Sequence, residues 1–155
     1  MDPQNTARVD GSERVTDKEF NKQKARTAKI FKHWCWMLGL NTWVKVTLEY
    51  WREPLTPRPS EEPYHPLATP EADCLAKWEY KTAHMRICLA DAADMDDDAL
   101  ERTIVHELCH CLVNEMRCYP EGINHEEHVV TSLAQAFHWV QKITADETKK
   151  ALKRG

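Results

Sequence analysis

Thr103-Ile104-Val105-His106-Glu107-Leu108-Cys109-His110-Cys111-Leu112 lies inside a segment whose apolar residues return every fourth position. Leu100, Ile104, Leu108 and Leu112 repeat at the period of one helix face, so a helix from about Asp97 to Arg117 is predicted, with that face on a core. His106 and His110 stand four residues apart, one turn above the other, and project together from a different side. Asp94, Asp96, Asp97 and Asp98 come just before the helix. They read as an N-cap and as charge complementing the positive end of the helix dipole rather than as a metal site.

Outward from this helix, the chain resolves into few elements. A second helix is predicted from about Asn124 to Lys142, with Val130, Leu133, Ala134 and Phe137 as the stripe facing its partner. Upstream, Ala76, Trp78 and Tyr80 share one side of a strand Leu75–Tyr80, and Met85, Ile87 and Leu89 share one side of a strand Ala83–Ala90. Lys81-Thr82 falls between them, where a tight turn belongs. Val44, Val46, Leu48 and Tyr50 alternate through a half-buried strand at 43–51. A helix over 17–38 is opened by a capping box, Thr16 with Glu19, and closed by Gly39. Its core side carries Phe20, Thr27, Ile30, Phe31, Trp34 and Leu38.

The expected fold class is α+β: an N-terminal helix, a small three-stranded sheet, then a two-helix cradle around His106 and His110. Residues 1–15 read as a disordered tail, 16–143 as a single domain and 144–155 as a flexible tail. The stretch 52–74 holds six of the eight prolines and reads as a long irregular loop.

Composition narrows the function. At 155 residues the chain suits one core. A net charge of −4 creates no field that draws in nucleic acid, and the basic residues Lys18, Lys22, Lys24, Arg26, Lys29 and Lys32 read as solvated helix faces. Neither an apolar leader nor a membrane-length apolar run stands out, so a cytoplasmic protein is expected, with no membrane partner. The six cysteines include no C-x-x-C pair and read as buried thiols, Cys109 and Cys111 among them as small core residues.

The pattern His106-Glu107-Leu108-Cys109-His110 is H-E-x-x-H. Two imidazoles one turn apart are able to share a zinc ion (Zn2+), which accepts nitrogen ligands tetrahedrally and keeps a position open for water. Glu107, one step round the helix, is placed to act as general base without being a ligand. A third ligand is sought on the last helix, in Asn124-His125-Glu126-Glu127-His128. Periodicity does not separate Glu126 from Glu127, and Glu127 with Asn124 also fits a capping box.

From Trp43 to Phe137, through the strand pair and the H-E-x-x-H helix to Glu127-His128-Val129-Val130-Thr131-Ser132-Leu133-Ala134, the chain resembles zincin metallopeptidases. The likeness is to small, mostly uncharacterised phage and bacterial gluzincin-like proteins. In gluzincins the third ligand is a glutamate on the helix after the motif, and the resemblance implies Glu127, with Glu126 as the alternative. It also implies an extended peptide or protein substrate lying against an edge strand, here Leu75–Tyr80. The Pro-rich loop departs from the compact family pattern, and no family-matched oxyanion residue is evident; His84, His125 and His128 each read more simply as surface histidines. Asn114, Arg117 and Cys118 stand near the places where metzincins carry glycine and histidine.

The expected function is hydrolysis of peptide bonds by a zinc-activated water with Glu107 as general base. Two other readings stand beside it: a zinc-bound but non-catalytic regulatory module, and a metal-free helical interaction protein. Substrate specificity and oligomeric state are not encoded in any motif.

Overall fold

The computed structural model describes residues 16–56, 71–114 and 120–152. The expected N-terminal tail and most of the Pro-rich loop lie outside these, as do Arg117, Cys118 and the side chains of Asn124 and His125. The architecture is α+β.

Helix α1 spans Asp17–Met37. Its N-cap is the one expected: the Thr16 hydroxyl accepts from the Glu19 N–H at 3.3 Å. Gly39, at φ +70°, takes the left-handed position that ends the helix at little cost for a residue without Cβ. Phe31 and Trp34 are buried on its core side. Arg26 is not a solvated surface charge. Its guanidinium donates to Asp97, to the Ala92 carbonyl and to the Met95 carbonyl at 2.7–3.0 Å, pinning α1 to the turn before the H-E-x-x-H helix.

Three strands form one sheet in the order β1 (Lys45–Trp51), β3 (Thr82–Cys88), β2 (Ala72–Lys77). β1 runs parallel to β3, and β2 runs antiparallel to it with Cys74 opposite Met85. The second strand therefore starts earlier than expected and does not reach Tyr80. Trp78–Tyr80 is instead a 3-10 turn, closed by Lys81 in the left-handed region at φ 51°. Lys81 is held there with its ammonium over the Trp43 and Trp78 rings, 5.6 and 5.9 Å from their centroids. The stretch after β1 is anchored too: Arg86 pairs with Asp73 and donates to the Thr56 carbonyl at 3.0 Å, while Leu55 is fully buried.

A short helix α2 (Leu89–Asp94) leads into α3 (Asp97–Val113). The acidic cluster acts as helix chemistry, with Asp96 as N-cap accepting from the Ala99 N–H at 2.7 Å. Leu100, Ile104 and Leu108 are buried as expected, but Leu112 in the last turn is exposed. Val105, Cys109 and Cys111 are buried instead, because α3 is wedged between β2, α1 and the final helix and hides much of its circumference. Helix α4 runs Pro120–Leu152, well past the Lys142 expected as its end and through most of the stretch read as a flexible tail. The hydroxyls of Thr144 and Thr148 donate back to the carbonyls of Val140 and Thr144, and helix-favouring Ala, Glu and Lys residues carry the ladder on. Among the described residues, no helix is long and apolar enough to cross a membrane.

Candidate metal centre

The site forms where α3 and α4 pack together. Leu100, Ile104 and Leu108 commit one side of α3 to the core, so His106 and His110 are turned toward α4. Val130 and Ala134 commit α4 in the same way. Four residues before Val130 on that stripe sits Glu126, and beside it Glu127.

The two glutamates take different places. Glu127 spans both imidazoles: one carboxylate oxygen is 3.3 Å from His106 Nε2 and the other is 3.2 Å from His110 Nε2. Glu126 lies behind, its oxygen 2.8 Å from His110 Nδ1, with both side chains buried. The rings of His106 and His110 have centroids 5.2 Å apart and cross at 77°. Glu107 completes the group, and ligand-capable atoms of His106, Glu107 and His110 all lie within 4.8 Å of one another. The flank toward His110 is closed; the flank toward His106 and Glu127, exposed by 28% and 42%, is open to water.

Electrostatics follow from this packing. Burial works against a charge on His110, but hydrogen bonds to Glu126 and Glu127 and the charge of Glu107 prevail, and its pKa rises to about 10. Hydrogen bonds from His106 and His110 hold the Glu127 carboxyl far below its usual range. Burial pushes Glu107 up, against the pull of His110 and His106 and with the help of the Asp73 and Glu127 charges. Without a metal, the cluster is thus a tight ion-pair network.

The donor types, imidazole nitrogen and carboxylate oxygen, are ones zinc accepts. The distance from each nitrogen to its own Glu127 oxygen is near the about 3.3 Å that separates two ligand atoms on a tetrahedral ion with bonds of about 2.0–2.1 Å. With Nδ1–H donating to Glu126, the neutral His110 tautomer presents its Nε2 lone pair toward Glu127.

The other residues singled out in the sequence fall elsewhere. His84 is 3.0 Å from Glu49 on the outward side of the sheet, and His128 is exposed. Asp73, which sequence reasoning passed over, acts on the site through its charge on Glu107, and Glu126, weighed there as the alternative ligand, acts through His110. The signal for Glu126 was present, since it falls in step with Val130, Ala134 and His138 along the buried stripe of α4, where a carboxylate needs a partner.

No protein-family model, curated protein or solved structure matches this chain. The functional reading therefore rests on the site itself.

Proposed function

We propose that this chain is a zinc-dependent metallopeptidase of the zincin type, with His106, His110 and Glu127 as the metal ligands and Glu107 as the general base. The observation that carries the proposal is the convergence of both imidazole Nε2 atoms on the Glu127 carboxylate, beside the half-buried Glu107 on the helix of the two histidines. Zinc held there would polarise a substrate carbonyl and make a water acidic enough to attack near neutral pH. Glu107 accepts the proton of the attacking water and returns it to the departing amine. Glu126 is the positioning residue that fixes the ring and tautomer of His110. β2, an outer strand of the sheet packed on α3, offers the backbone edge along which an extended peptide would pair.

His106, His110, Glu126 and Glu127, already paired with one another, also serve as a helix-to-helix clasp without any metal. Elemental analysis of protein purified without a His tag separates the two readings. About one zinc per chain, lost in His106→Ala/His110→Ala, supports the metal centre. No zinc in either protein after zinc is added back removes it, and the enzyme reading with it. Hydrolysis of a peptide library by wild type but not by Glu107→Gln, at equal zinc content, separates a peptidase from a zinc-bound regulatory module.

A further inference from the structure

We propose that Cys74 and Cys111 form a redox pair that closes to a disulfide and fastens the outer strand β2 to the helix carrying His106 and His110. The two sulfurs are 3.7 Å apart in the core. A disulfide bond is about 2.05 Å long, so the two sulfurs have about 1.7 Å to close. Their placement follows from the two elements. Ala72, Cys74 and Ala76 alternate as the inward residues of β2, and the two alanines leave room for α3 to approach closely. Cys111 directly follows His110 on α3 and is buried against that strand.

The chemistry requires a two-electron oxidant, here a hydroperoxide, which reaches the buried pair through the local fluctuations that edge elements of a fold undergo. One thiolate attacks the O–O bond, forming an S–O bond and releasing one water, or one alcohol from an alkyl hydroperoxide. The second sulfur then attacks the sulfenic sulfur, forming the S–S bond and releasing the remaining oxygen as water. Two thiols are oxidised by one electron each and the peroxide is reduced by two. The bond joins positions 37 apart in sequence, restricting the unfolded chain and holding β2 in register beside His110.

The test uses the full chain and hydrogen peroxide, on protein stripped of metal by chelator and on zinc-supplemented protein. Remaining thiols are alkylated in denaturant and the peptides mass-mapped before and after dithiothreitol. A single Cys74–Cys111 link is expected, removed by dithiothreitol and accompanied by a rise in Tm; Cys74→Ser and Cys111→Ser each lose the link and the rise. Sulfinic acid at either position without a link, a different pairing, or both thiols still alkylated overturns the proposal. The wild-type map decides even if a variant misfolds. Because the link needs no zinc, a chain that forms it yet takes up no metal refutes only the metal centre.

Discussion

The α3–α4 pair buries a histidine among carboxylates at both of its ends, and the two ends solve the problem differently. At one end, Glu127 faces two imidazoles, and Glu126 faces His110 from behind. At the other, His138 lies 3.4 Å from Asp98 and 3.6 Å from Glu101, but Asp98 is also paired with Arg102 and Lys142. Lys142 holds the Asp98 carboxyl below its usual range. Glu101 accepts from the Trp34 indole at 2.8 Å and from Gln141 at 3.1 Å, so that corner joins α1, α3 and α4. The far end supplies its own cations as lysine and arginine. Among the described residues, the near end sets imidazoles opposite Glu127, and imidazoles are able to exchange their protons for a metal. One helix pair thus carries a polar corner neutralised by lysine and arginine and another built on imidazoles.

The sharpest way to break that contrast is catalytic. Glu107→Gln is expected to lower peptide hydrolysis by about 10²–10⁴-fold with zinc content unchanged, measured by fluorescence of a quenched peptide. His138→Gln at the far corner is expected to leave the same rate intact once the folded fraction is matched.

Stability comes next. His110→Ala leaves Glu126 buried without its imidazole, and the metal-free protein is expected to lose about 3–5 kcal/mol in denaturant unfolding. Lys142→Ala removes an exposed ammonium and is expected to leave the unfolding midpoint nearly unchanged. Equal losses at the two ends would erase the distinction.

Glu126→Gln keeps the size of the side chain but weakens its hold on His110 Nδ1. Zinc affinity, read by competition with a chelating dye, is expected to fall by about 10–100-fold. Unchanged affinity would return Glu126 to a purely packing role.

The pH dependence is smaller but has a definite sign. His110 is raised in the fold from its ordinary 6.5 to about 10, so its contribution to the metal-free protein is complete below about pH 6.5 and is lost as pH rises toward 10. Denaturant midpoints of the chelated protein are expected to fall across that window, and Glu126→Gln to flatten the fall. Zinc uptake at pH 7 must displace the His110 Nε2 proton, and calorimetry in buffers of different ionisation heat is expected to detect its release.

Sequence by itself determined the parts ruled by local periodicity and short-range chemistry. The 3.6-residue repeat of Leu100, Ile104 and Leu108 located α3 and turned His106 and His110 to one common side. Thr16 with Glu19, Gly39 and Asp96 marked helix ends because caps are bonds between residues three or four apart. The strand segments were legible from alternation, but Trp78 and Tyr80 continued the pattern past the true end of β2, since alternation does not register where pairing stops.

Only the tertiary structure sets where Glu126 and Glu127 lie relative to the imidazoles. Adjacent helical residues differ by about 100° in direction, and which one reaches the imidazoles depends on how α4 is rotated against α3. That rotation is set by Val130 and Ala134 seating in the core, and it puts Glu127 across both Nε2 atoms and Glu126 behind His110. Cys74 meeting Cys111, Asp73 acting on Glu107 and Arg26 binding the turn before α3 are likewise contacts between distant positions. No local pattern encodes them, because each exists only once separate elements have packed.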